Sequence, residues 1–148
     1  MRFKGLFLTA MVLCVAAVLT VGCVPIAGGI VVKDAMSRPS PMGANTGAAF
    51  MSIVNNGQTA DRLLSAASAA AKTVELHETV MVDGVMKMEP RPEGFEIPAG
   101  GTLELKTGGK HIMLIDLVAT LEVDKTIEIT LIFEKAGQMK ITVPVKPM

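Results

Sequence analysis

The sequence predicts an all-β domain, an antiparallel sandwich or barrel, on three observations. Short apolar or alternating runs follow one another at regular spacing along most of the chain. The breaks between them carry turn chemistry: "SRPSPMGANTG", "NNGQ", "VDGV", "PRPEG", "PAGG", "TGGK" and "EKAG". Gly supplies positive φ there, Pro fixes φ, and Asn or Asp tolerates the left-handed region. Finally, 50% hydrophobic against 19% charged residues in a chain of 148 is enough for one well-filled core.

Ten strands follow in order. "IVVKDAM" (30–36) and "GAAFMSIV" (47–54) are β-branched or apolar runs on either side of a Pro- and Gly-rich break. "DRLLSAASAAAK" has residues that favour a helix, but it is read as a strand (61–68), a kink, and the start of the next strand, "AKTVELHETVM" (71–81). "GVMKM" (84–88) follows the hairpin signal "VDG". Two short runs, "GFEIP" (94–98) and "GTLELK" (101–106), lie between Pro and Gly breaks. "HIMLIDL" (111–117), "KTIEITLIFE" (125–134) and "QMKITVPV" (138–145) complete the set.

Residues 1–23 read as a signal segment, and residues 24–148 as the domain. Arg2 and Lys4 form a positive start, and 17 uncharged residues run from Leu6 to Gly22. "LTVGC" resembles a bacterial lipobox, with Thr20 where Leu is usual, so that Cys23 would be lipidated. The other readings are a plain signal cut near Ala27-Gly28 and a retained membrane anchor. All three export the domain to the periplasm or outer cell surface. Both cysteines, Cys14 and Cys23, fall in this leader, so the exported domain offers no disulfide and no internal thiolate ligand.

Composition excludes several function classes. Lys plus Arg balance Asp plus Glu at 14 each, and without Arg2 and Lys4 the exported part is slightly acidic, so no field steers it to nucleic acid. Aromatic content is 3%, with no Trp or Tyr, which removes base-stacking platforms and sugar clefts. Met, in contrast, occurs 11 times.

Strand parity assigns side chains to faces. In "AKTVELHETVM", Val74, Leu76 and Val80 point inward, and His77 shares the outer face with Thr73, Glu75, Thr79 and Met81, at or near the surface. Met86 and Met88 share a face, as do His111 and Met113. Folding back through "VDG" would bring Met88 towards the level of His77. The set His77, Met88, His111 and Met113 then offers two imidazoles and two thioethers. Such donors favour Cu(I), with Cu(II) reachable through the nitrogens, whereas Zn prefers Cys, His and carboxylate, and Ca and Mg want oxygen. Core methionines and solvated histidines are the competing reading of the same residues.

These residues and their surroundings resemble the periplasmic copper chaperones called PCu(A)C. The family pattern is His, ten residues, Met, about twenty-one residues, then H-x-M. Here ten residues separate His77 from Met88, and twenty-two separate Met88 from "HIM". "DAMSRPSPMGANTGAAFMSIVNNG", "VELHETVMVDGVMKMEP" and "IPAGGTLELKTGGKHIML" match as well, so the resemblance spans about residues 30 to 145. It implies a cupredoxin-like antiparallel β-sandwich. It also implies that one Cu(I), held by His77, Met88, His111 and Met113, is delivered to a cytochrome oxidase subunit or another copper carrier. Exposed, neutral ligands near strand ends would permit stepwise exchange.

There are departures. One extra residue falls in the loop "PRPEGFEIP", Glu78 replaces an optional Met, and Met36 and Phe50 fill positions where aromatics are common. "VKPM" is too short for the Met- and His-rich extension associated with a second copper, so one site is expected.

Blue-copper electron transfer needs a Cys thiolate beside two His, which the domain lacks. An enzyme is not expected: no Ser-His-Asp set can be assembled, and Glu75 and Glu78 read as a solvated edge. The remaining alternative is a metal-free surface β-sandwich lipoprotein acting in adhesion or assembly.

Overall fold

In the computed structural model, residues 29–40 and 44–147 are described. The signal segment, Cys23 and the lipidation reading lie outside them. Ten strands form, each where the sequence places one: β1 (Ile30–Ser37), β2 (Thr46–Asn55), β3 (Asp61–Ala67), β4 (Ala71–Val82), β5 (Val85–Pro90), β6 (Phe95–Ile97), β7 (Thr102–Leu105), β8 (Lys110–Leu117), β9 (Thr126–Phe133) and β10 (Gly137–Pro144). Among the described residues there is no helix. The Ala-rich stretch is strand, turn at 69–70, strand, because its Leu63, Ala66 and Ala71 are taken up by the core.

Two antiparallel sheets face each other. One runs β1-β2-β8-β4-β5, with β7 pairing β2 beyond the end of β8; the other runs β10-β9-β3-β6. Inward positions of the first sheet (Ala49, Met51, Ile53, Leu76, Leu103, Leu105, Ile112) meet those of the second (Leu63, Phe95, Ile97, Ile129, Leu131, Phe133, Met139, Val143) in one core. This is the β-sandwich that the alternation predicts. It follows that the residues between them in sequence, including 48, 50, 75, 77, 79, 111 and 113, stand on the outer face of the larger sheet.

Two polar side chains close the ends. Asn55, 1% exposed, donates to the carbonyls of Thr59 and Ile97 and accepts from Gly57 N–H, fixing the turn between β2 and β3. Asp61 accepts from the backbone N–H groups of Arg62, Lys135 and Ala136, tying the β9–β10 turn to the start of β3. Burial alone would raise its pKa, but these three donors and the Lys135 ammonium outweigh burial and hold the carboxyl below its usual range.

The β4–β5 hairpin turns at Asp83-Gly84, both at positive φ (49° and 78°), as a two-residue turn matched to strand twist requires. β5 continues two residues past the predicted end at Met88, as far as Pro90. Pro is tolerated there because β5 is an edge strand and needs no further ladder partner.

Candidate metal centre

β8 lies between β2 and β4, and β4 between β8 and β5. In the β4–β8 ladder His77 pairs directly with His111, and Glu75 with Met113. In the β4–β5 ladder Thr79 pairs with Met88, and Pro90 with His77. Met113 faces Ala48 of β2 on its other side. All four candidate ligands therefore share the outer face of one sheet, and the two segments carrying the histidines converge. The imidazole centroids are 5.9 Å apart, with ring planes inclined at 53°. Met88 sits level with Thr79, two residues along β4 from His77.

Exposure departs from expectation. His111 is 5% exposed and the His77 side chain 13% exposed, while Met88 is 58% exposed. Both histidines lie on interior strands and have neighbours on two sides; Met88 lies on the edge. The ring of Phe50 covers His111, centroid to centroid 6.4 Å, and the Arg38 guanidinium lies 5.2 Å from the Phe50 ring centre. Arg38 also donates to Thr107 Oγ1 at 2.6 Å. Met88, His111 and Met113 line a cavity of about 420 Å³ with Arg38, Phe50, Thr79 and Thr107 among its walls. His77 does not line that cavity; it adjoins it through the ring of His111.

The hydrogen bonds fix which nitrogens remain bare. The Gly109 carbonyl can only accept, so His111 Nδ1–H donates to it (3.0 Å) and Nε2 keeps the lone pair. His77 Nε2–H donates to the Glu75 carboxylate at 2.8 Å. His77 Nδ1 is then the lone-pair nitrogen, and it is buried with no hydrogen-bond partner among the described residues. Leaving such an atom unsatisfied costs about 1–3 kcal/mol, a cost a bound cation would remove. Lone-pair nitrogens on two imidazoles and two thioether sulfurs are the soft donors that the candidate set offers. Among the described residues no three His, Cys, Asp or Glu side chains gather in a way that could hold a metal ion.

Glu75 and Glu78 are half-exposed, but they lie on an interior strand and each has a partner. Glu75 orients His77, and Glu78 holds Arg91 at 2.9 Å. Sequence reading also missed Arg38, Phe50 and Thr107, which reach the site from β2 and from the segments after β1 and β7. Only the even spacing from Ala48 to Phe50, which puts Phe50 on the same outer face as Met113, signalled any of them.

The family model described as "Putative lipoprotein LpqE-like" matches residues 30–145. The chain belongs to the LpqE-like family. "Putative lipoprotein Lxx21020" of Leifsonia xyli subsp. xyli, a relative of this LpqE-like chain, is 40% identical over 120 residues, covering 81% of this chain and 71% of its own. Among solved structures, the copper-bound PCuAC domain from PmoF2 superposes with a TM-score of 0.68 at 25% identity, covering 82% of this chain and 96% of that one. The solution structure of CuI-DR1885 from Deinococcus radiodurans gives a TM-score of 0.61 at 30% identity, covering 78% of each chain. The structural neighbours are thus PCuAC domains, as the sequence resemblance implied, and the cupredoxin-like β-sandwich is the fold of this LpqE-like protein.

Proposed function

We propose that the protein is an exported copper chaperone that carries one Cu(I) on His77, Met88, His111 and Met113 and passes it to a partner. The observation that carries this reading is the pairing of His77 with His111 in adjacent strands, each ring left with a bare nitrogen by a hydrogen bond at the other. The copper-bound PmoF2 domain and CuI-DR1885 share the fold, which supports copper as the cargo. Uncharged donors beside the Arg38 cation suit a monovalent ion better than a divalent one. Exchange begins at Met88, the exposed ligand on the edge strand; the buried His111 releases last. A copper site of cytochrome oxidase, or a second copper carrier, is the recipient class that fits a Cu(I) donor. The lipoprotein description of the family and of the Leifsonia relative supports export with a lipid anchor at Cys23.

The test is competition with a Cu(I) indicator dye, followed by X-ray absorption for nitrogen and sulfur neighbours. Uptake of one equivalent in the first, tightest step, lost in His111→Ala and weakened in Met113→Ala, supports the proposal. Absence of uptake would leave the metal-free surface sandwich as the better reading.

A further inference from the structure

Three large apolar side chains near the centre do not serve the core. Met81, Met86 and Met88 are 65%, 60% and 58% exposed, whereas Met51 and Met139 are buried. Burying a Met side chain stabilises a fold, and these three forgo most of that gain. Single exposed apolar residues are ordinary; these three are not scattered. Met81 pairs directly with Met86 across the β4–β5 hairpin, and Met88 pairs with Thr79, one step further from the turn on the same face. Val80, Val82, Val85 and Lys87 take the opposite face by parity. The outer face of the hairpin therefore presents three thioethers and the Thr79 hydroxyl, with no charged side chain among them.

We propose that Met81, Met86 and Met88 form a second, solvent-facing Cu(I) site, which loads the His77–His111 centre and shares Met88 with it. Directly opposed side chains have Cβ atoms about 4.5–5.5 Å apart and diagonal ones about 7–8 Å apart. Met has three rotatable bonds beyond its backbone, so three sulfurs at those spacings can close on one soft ion. Three neutral thioethers select a monovalent soft cation such as Cu(I) or Ag(I) over Zn, Ca or Mg. Transfer needs only ligand exchange: Met88 keeps the ion while Met81 and Met86 are replaced by His111 and Met113, and no proton or electron moves. Because the hairpin ligands are exposed and include no nitrogen, the outer site is the weaker of the two, as a loading site must be. The inference extends the function proposed above, but its test rests on Met81 and Met86, which that function does not use.

The experiment titrates the full chain, labelled with 13C-methyl methionine, with Ag(I) as a redox-inert stand-in for Cu(I). The expected result is two equivalents in sequence. The first moves Met113 and Met88; the second, weaker because Met88 is already committed to the inner centre, moves Met81 and Met86. Met81→Leu/Met86→Leu, a volume-conserving change at exposed positions, loses the second equivalent and keeps the first. His111→Ala keeps the hairpin equivalent. If Met81 and Met86 stay unmoved at saturation, or the second equivalent survives in the double variant, the hairpin site is overturned, whatever the His centre does. If Met81 and Met86 respond while Met113 does not, the hairpin site stands and the four-ligand chaperone reading fails.

Discussion

His77 and His111 stand opposite each other in neighbouring strands with their rings 5.9 Å apart, yet their hydrogen bonds leave different nitrogens free. His111 gives its Nδ1 proton to Gly109, and His77 gives its Nε2 proton to Glu75. A metal between them would meet Nε2 of one ring and Nδ1 of the other. The asymmetry follows from local geometry: the Gly109 carbonyl is in the turn just before β8, while Glu75 is two residues along the same strand and face as His77.

The two neutral rings should therefore be opposite tautomers in the metal-free protein. Long-range proton–nitrogen correlation spectra at pH 8 should show His111 protonated at Nδ1 and His77 at Nε2. Adding Cu(I) should shift Nε2 of His111 and Nδ1 of His77 most. Matching tautomers in the two rings would contradict the hydrogen-bond assignment.

Asp61 should make stability depend on acid. Its folded-state pKa is lowered by the three backbone donors and Lys135 in spite of burial. A lowered folded pKa means that its contribution is complete above the unfolded-state value of about 3.9 and is lost as pH falls through the folded one. Asp61→Asn removes the charge from all three bonds and sets an amide NH2 against either the Ala136 N–H or the Arg62 and Lys135 N–H groups, and should cost about 1–3 kcal/mol near neutral pH. Urea unfolding of both proteins should show the gap narrowing below about pH 4. A gap that stayed constant down to pH 2 would show that the charge contributes nothing.

Much of this architecture was legible in the sequence, and the exceptions share a cause. Period-two patterning placed all ten strands, and parity put His77, Met88, His111 and Met113 on consistent faces. Parity does not give register. That Thr79 rather than His77 faces Met88 depends on the two-residue turn at Asp83-Gly84, and that His77 faces His111 depends on where the chain re-enters the sheet after β6 and β7. Burial was misjudged for the same reason. Whether an outward His is covered depends on which strands flank it, and Phe50, Arg38 and Thr107 arrive from strands and turns distant in sequence from His111.

Two glycines at positive φ should respond differently to a Cβ. Gly84, at φ 78° in the hairpin turn, has nothing within 4 Å of the added carbon. Gly84→Ala should cost only the strain of the left-handed backbone, about 1 kcal/mol. Gly94, at φ 76°, would drive its Cβ into the Leu63 carbonyl oxygen, which is backbone in β3 and cannot rotate away. Gly94→Ala should cost about 3 kcal/mol or more, with strain and clash added together. Thermal unfolding of the two variants ranks them; equal losses would refute the distinction.

Glu75 spends its hydrogen bond on His77 and is not itself a candidate ligand, so its substitution separates orientation from ligation. Glu75→Ala leaves Nε2–H of His77 without its acceptor and frees the ring to turn. Carboxylates that orient a metal-binding imidazole are worth about 10–100-fold in affinity, and a loss in that range is expected in Cu(I) competition. Glu75→Gln keeps an acceptor oxygen within reach of Nε2–H and should recover most of the affinity. The Glu75 side chain is 42% exposed, so neither change should shift the unfolding midpoint in urea appreciably. Equal losses in Gln and Ala would mean that the carboxylate acts through its charge, attracting the cation, and not by holding the ring. An unchanged affinity in Glu75→Ala would mean that strand packing alone orients His77.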